Sequence, residues 1–333
     1  MADLKHIFDF IAPKKQIDRT GSFIPNDIGF GPNGLLYVCD SLNHRVQSFD
    51  FKGKLKFQYN IKHSNCIGNE KNQYLCFSPE NLLYINNFDW YLNVTEVYDL
   101  YFKPKFEFEN QKEDKKSEKF NKSERDYYYN WEKGKMCFGP NGLLYVCDQH
   151  NHCVQVFDKR GKFQFRFGKK GKEDGQFKKP KLICFGPNGL LYVGDDNYYI
   201  QVFDIDGNFQ FKFNVDTDMD FFSTYGIDVS YYDDNKNAMC FGPNQLLYIS
   251  YYNYARGIIV IYNQKGEFQY LINMKDHFDF ISIQYGPKKL LYVGDKKGSI
   301  HVFQHTKDKT LYQIIAESLF KKEKENNKKR KFY

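Results

Sequence analysis

No run of about 18 apolar residues occurs in this chain, so it lacks the length of apolar sequence that a membrane-spanning helix needs. The opening MADLKHIFDFIAPKK holds no apolar stretch long enough for a secretory leader. The expectation is a soluble, cytoplasmic protein without a membrane span. No C-x-x-C pair and no His/Cys spacing of a zinc site is present, and no G-x-S-x-G nucleophile elbow. No metal and no cofactor is expected. Amphipathic helical stretches are also missing, which points to an all-β chain.

Aromatics, by contrast, are abundant. There are 33 Phe and 27 Tyr in 333 residues, as suits strands packed face to face. The wealth of Lys, Asn, Tyr and Phe suggests an AT-rich genome, as in some protists, bacteria and large DNA viruses. The last of these would allow a place in a virion.

One phrase organises the chain. The stretch from Cys137 to Asp195 begins with CFGPNGLLYVCD and ends with CFGPNGLLYVGD. The phrase occurs six times, with its first aromatic at Phe30, Phe77, Phe138, Phe185, Phe241 and Tyr285. A repeat near 45 residues marks a propeller or a similar array. Within the fourth copy, Leu182–Phe185, Leu190–Gly194, Tyr199–Phe203 and Asn208–Phe213 read as strands. Gly186-Pro187-Asn188-Gly189 and Asp204-Ile205-Asp206-Gly207 between them are turn chemistry. The expected fold is a six-bladed β-propeller of four-stranded antiparallel blades.

The segment from Gly168 through Gly171, Gly175-Gln176-Phe177 and Pro180 to Tyr192-Val193-Gly194-Asp195 resembles the NHL repeat. The family's Asn-His-Leu slot reads Asn43-His44-Arg45 in copy one and Asn151-His152-Cys153 in copy three. Copies two and five depart from the pattern. Ser78 and Glu80 replace the turn's Gly and Asn, and Ser250-Tyr251 replaces a small residue and Asp. The resemblance covers roughly residues 20 to 315. It implies the propeller fold, and its functions are many.

The expected organisation is a ring-closing strand and linker over 1–23, the propeller over 24–315 and a basic tail over 316–333. His6 to Ile11 alternates like the fourth strand of a blade, so the N-terminus is expected to complete the last one. The alternative is that copy six supplies its own outer strand at Thr310–Ile314.

Six of the eight cysteines fall in repeat slots. Cys76, Cys137, Cys184 and Cys240 precede the first aromatic, and Cys39 and Cys147 share a second slot. They read as small packing residues. Only Cys147 and Cys153 lie near enough in sequence to bridge across a hairpin, and that pairing stays open.

Variation sits on one side of the disc. The distance from the third-strand aromatic to the next copy is 28, 40, 28, 38 and 23 residues. The connections from strand four to strand one share a face with the strand two-to-three loops, and the uniform turns lie opposite. Function is expected on the individual face. Candidate binding residues there are Arg45, Trp90, Tyr91, Tyr198, Tyr199, Tyr251, Tyr252, Tyr254 and Arg256. Wedging of these aromatics between blades is the plainer alternative. His44 and His152 read as turn residues. Asp216-x-Asp218-x-Asp220 imitates a calcium loop but has Phe221 where glycine is needed and Ile227 where glutamate is needed.

The tail carries Lys321, Lys322, Lys328, Lys329, Arg330 and Lys331, and Phe320–Tyr333 holds seven basic against two acidic residues. The whole chain is +7. The first expectation is a non-enzymatic scaffold that holds a protein partner. RNA binding assisted by the basic tail is the alternative, since some NHL propellers bind single-stranded RNA. A structural part in a larger assembly is another. An enzyme is disfavoured, because the eight histidines do not recur at one inner-strand slot.

Overall fold

The computed structural model describes residues 3–11, 23–61, 73–88, 93–109, 134–215, 235–253, 256–273 and 280–306. They form six separate four-stranded antiparallel sheets, as the repeat predicts. Blade 1 comprises Pro25–Phe30, Leu36–Asp40, Arg45–Phe49 and Leu55–Asn60. Blade 2 comprises Tyr74–Phe77, Leu83–Phe88, Asn93–Tyr98 and Pro104–Glu109. Blade 3 comprises Met136–Phe138, Leu144–Asp148, Cys153–Phe157 and Phe163–Phe167. Blade 4 comprises Leu182–Phe185, Leu191–Gly194, Tyr199–Phe203 and Phe209–Asn214. Blade 5 comprises Asn235–Phe241, Leu247–Asn253, Arg256–Tyr262 and Phe268–Asn273. Blade 6 takes Phe280–Tyr285, Leu290–Asp295 and Ser299–Thr306 from the last repeat.

The fourth strand of blade 6 is the N-terminal Asp3–Ile11, which pairs antiparallel with Ser299–Thr306. The ring is thus closed inside a sheet. The first strands of successive blades touch all the way round, including blade 6 with blade 1, and form the innermost ring.

The strand-two tyrosine explains why the phrase recurs. Tyr37, Tyr84, Tyr145, Tyr192, Tyr248 and Tyr292 are all buried. Each meets the first aromatic of the next blade edge to face: Tyr37 on Phe77, Tyr84 on Phe138, Tyr145 on Phe185, Tyr192 on Phe241, Tyr248 on Tyr285 and Tyr292 on Phe30. Centroid distances run only from 4.8 to 5.1 Å. Such pairs contribute about 0.5–1.5 kcal/mol each beyond their burial.

The tyrosine hydroxyl adds a polar latch. In blade 4 it accepts from Asn188 Nδ2 at 3.0 Å and donates to the Gln264 carbonyl of blade 5 at 2.7 Å. Tyr37 and Tyr145 repeat this with Asn33 and Leu100, and with Asn141 and Ile205. Tyr192→Phe is expected to lower stability by about 1 kcal/mol, because a part-buried carbonyl and a side-chain amide lose their partner. A shifted denaturant midpoint at unchanged slope would show it, and an unshifted midpoint would mean that water already serves both groups.

The turn's first glycine is set by the same tyrosine. A Cβ on Gly139 would fall 2.7 Å from Asn141 Oδ1 and 2.8 Å from Tyr145 Cε2. Copy two breaks this rule coherently. Glu80 occupies the asparagine slot and pairs with Lys159 of blade 3 at 2.8 Å. With no asparagine there, Ser78 Oγ accepts the Leu82 amide at 3.2 Å. Asparagine does this elsewhere, as Asn141 Oδ1 does for Leu143. Tyr84 keeps its latch by donating to the Lys159 carbonyl at 2.6 Å.

The seven described cysteines are free thiols. Asp148, not Cys147, pairs with Cys153 across the hairpin, so the two cysteines point to opposite faces of the blade and no bridge forms. Burial pushes the thiols of Cys39, Cys76, Cys137, Cys147 and Cys184 well above the ordinary range and that of Cys240 up to about 12. They stay protonated and inert at neutral pH.

Candidate functional site

The two faces of the disc are built by different rules. On one, the strand one-to-two turns are fixed by the tyrosine latch. The strand three-to-four turns are fixed by Asp50, Asp99, Asp158, Asp204 and Asn263, each accepting two backbone amides of its own turn. On the other face, strand two-to-three turns alternate with connections of unlike length and sequence.

One connection on the individual face is described throughout, residues 168–181 between blades 3 and 4. Its fold follows from Phe177, which is buried beneath it and makes a parallel bridge to Lys170. Gln201 of strand three reaches up twice, accepting the Gly175 amide at 2.9 Å and donating to the Gln176 carbonyl at 2.5 Å. Asn197 donates to the Gly171 carbonyl at 2.8 Å. The anchored loop presents Lys169, Lys170, Lys172 and Lys178 to solvent. Lys212 pairs with Asp174 at 2.8 Å and lies 5.0 Å from the centre of the Tyr199 ring.

His44, His152 and Tyr198 share the left-handed position of the strand two-to-three turn, with φ of 49°, 54° and 65°. They are turn residues, as their slot predicts. His152 also docks the connection, because its Nδ1 accepts the Lys179 amide at 3.0 Å. Burial, then Lys170, His150 and Lys179, hold its pKa below the ordinary 6.5. The unfolded chain therefore takes up this proton first. The contribution is complete above the unfolded value and lost as pH falls through the folded one. A stability profile in the acid range should flatten in His152→Asn, which tolerates the left-handed turn but does not titrate. An identical slope in the variant would show that His152 plays no part.

The predicted binding residues are spread over three environments. Tyr198 and Tyr199 lie half-buried on the individual face, beside the lysines. Arg45 is placed inside the fold instead. Its Nε donates to Asp40 Oδ2 at 2.8 Å, and Asp40 also accepts the Ile24 amide. Tyr251 is likewise interior, its hydroxyl donating to the Val215 carbonyl at 3.0 Å. Neither is open to a partner as a binding residue would be, and Tyr251 follows the plainer alternative of packing inside the fold. Arg45 neutralises a buried aspartate, and Tyr251 takes the slot where other blades carry that aspartate. Tyr252 and Arg256 lie on paired strands, Tyr252 opposite Gly257 and Arg256 opposite Asn253, with side chains outside the described residues. Trp90, Tyr91, Tyr254, Lys321, Lys322, Lys328, Lys329, Arg330 and Lys331 lie outside the described residues, as do Asp216 to Ile227 and Thr310–Ile314.

The axis holds a feature that the repeat pattern did not indicate. Asp27 and Lys135 occupy the same slot, three residues before the first aromatic, in blades 1 and 3. Lys135 Nζ spans the inner ring to reach Asp27 Oδ1 at 2.6 Å. Asp27 Oδ2 accepts the Leu75 amide of blade 2 at 3.0 Å. Both side chains are buried. The ammonium also acts on Cys39, Cys184 and Cys240 in blades 1, 4 and 5, easing their thiols down against the burial that raises them. It thus sits near the centre of the ring. A bulge between Pro25 and Asp27 aims the carboxylate there. The signal available in sequence was the single acidic and single basic residue in an otherwise uncharged slot.

Six four-stranded blades around a polar axis define the class: the chain is a six-bladed β-propeller. The NHL repeat family model matches residues 24–49 and 134–157, which hold the first three strands of blades 1 and 3. Short stretches are similar to two curated proteins. Forty residues are 45% identical to Protein brain tumor of Drosophila melanogaster, 12% of this chain and 4% of that one. Fifty-five residues are 46% identical to RING finger protein nhl-1 of Caenorhabditis elegans, 16% of this chain and 6% of that one. The matches span only these small shares of either relative. Among solved structures, virginiamycin B lyase from Staphylococcus aureus superposes with a TM-score of 0.56 at 12% identity, over 83% of this chain and 79% of that one. A streptogramin B lyase superposes with a TM-score of 0.58 at 10% identity, over 92% of this chain and 98% of that one. At such identities the likeness is one of fold alone. Among the described residues, no three His, Cys, Asp or Glu side chains converge as metal ligands. No described helix is long and apolar enough to cross a membrane.

Proposed function

We propose that this propeller is a non-enzymatic interaction scaffold that holds a protein partner on its individual face. The observation that carries the reading is the asymmetry of the disc. One face repeats the same latched turns, and the other concentrates all the variation in connection length. Varied loops on a rigid frame are the usual seat of recognition.

RNA is the second reading, favoured by one observation. Exposed Lys169, Lys170, Lys172 and Lys178 lie beside the half-buried rings of Tyr198 and Tyr199, and clustered lysines with aromatics suit a single strand. A pull-down from the native source, with and without RNase, separates the two. Proteins retained after RNase support the scaffold. Proteins lost with RNase overturn it in favour of RNA.

A further inference from the structure

The standardised face carries an irregularity of its own. Among the described residues the large apolar side chains exposed to solvent are Phe51, Phe57 and Tyr101, at 51%, 37% and 71%. All three sit on the outer hairpins of blades 1 and 2. Tyr101 packs edge-on against Phe57 across the blade boundary, centroids 5.5 Å apart. The matching turns of blades 3, 4 and 5 carry Lys159-Arg160, Ile205-Asp206 and Gln264-Lys265, with no aromatic.

Blade 6 reaches the same place with lysine. Lys288 Nζ lies 4.7 Å from the centre of the Phe51 ring, and Lys52 Nζ lies 5.7 Å from it. Lys288 and Lys289 stand where copies one, three and four have Asn-Gly, and both take left-handed φ, 60° and 58°. Bulky residues in that region carry strain, and strained turns collect at sites that need them. The lysines around the rings exceed the local acids. Asp50 and Asp99 engage Lys56 and Lys105, at 3.0 and 3.1 Å. Lys52, Lys54, Lys103, Lys288 and Lys289 make no ion pair among the described residues.

We infer that this rim of blades 6, 1 and 2 is a second docking surface, built for an acidic segment of a partner protein anchored by an apolar side chain. It lies opposite the individual face and is independent of the reading given for that face. Apolar anchors ringed by like charge select a complementary charge on the partner. A polypeptide suits the rim better than a nucleic acid. The Phe51 ring already faces two ammonium groups and Tyr101 meets Phe57 by its edge, so these rings are not laid out as a platform for stacked bases.

The test is a random-peptide display selection on the full chain, with binders measured by fluorescence anisotropy. Three proteins are compared: wild type, Phe51→Ser with Tyr101→Ser, and Lys288→Asn with Lys289→Gly. The expected binders are rich in Asp and Glu around an apolar residue. Their affinity falls about tenfold or more on each variant, a loss of about 1.4 kcal/mol. The lysine variant restores the repeat's own turn, so it should melt at a higher temperature while binding more weakly. Binders without an acidic excess, or binders held equally by all three proteins through the basic tail, would overturn the inference. So would a uridine oligonucleotide that binds in a rim-dependent manner while no peptide does.

Discussion

Asp27→Ala is expected to lower the unfolding free energy by about 3–5 kcal/mol, the range for removing one partner of a buried ion pair. The change leaves the Lys135 ammonium without its carboxylate near the centre of the ring, and it strips the Leu75 amide of its acceptor. Asp27→Asn should fall between, because an amide oxygen still accepts from Leu75. The double change Asp27→Leu with Lys135→Met should recover most of the loss, since two apolar groups can replace a buried pair at little cost. Urea unfolding at constant slope is the measurement. A loss below about 1 kcal/mol for the single change would place the pair in the class of solvated ion pairs, and the axis would then be open to water.

Deletion of residues 1–11 should have the largest effect. Ser299–Thr306 would become an edge strand, having lost a partner to which eight of its positions are paired. At ~0.5–1 kcal/mol for each pair, the loss is on the order of 4–8 kcal/mol. A long exposed edge also recruits other chains, so the truncated protein should aggregate in light scattering. A synthetic peptide of residues 1–11 added in trans should reverse the aggregation by strand addition. A truncated chain that scatters no more light than the full chain and keeps its midpoint would show that three strands suffice for blade 6.

The ring of blades was legible because each blade repeats the chemistry of its boundary. Phe30, Phe77 and their equivalents align in sequence for the same reason that they meet a tyrosine in space. Each fills the gap between two blades, and the geometry of that gap hardly varies. The N-terminal strand was legible from alternation alone, since an outer strand has one covered side. The departures in copy two looked like decay and proved to be a substitution of roles, with Ser78 bonding where asparagine does elsewhere. That exchange needs Glu80 to leave its slot for Lys159 in another blade, and no local pattern records it.

The candidate face was less legible. Arg45 and Tyr251 have the residue types of a binding surface, but each answers an interior need that depends on where Asp40 and Val215 fall. Asp27 and Lys135 are 108 residues apart. Only closure of the ring brings them together. The rim of Phe51, Phe57 and Tyr101 escaped notice because aromatics are everywhere in this chain, and sequence does not distinguish a ring that packs from one that does not.

The pairing of Asp3–Ile11 with Ser299–Thr306 also decides how the disc answers mechanical load. Asp3 lies opposite Thr306, and Ile11 lies opposite Ser299. A tether on residue 3 and another on residue 306 therefore grip neighbouring ends of two antiparallel strands. Tension peels their hydrogen bonds one after another instead of shearing them together. The disc should open at low force through this zipper, while its latched blade boundaries carry no load until the zipper has run out.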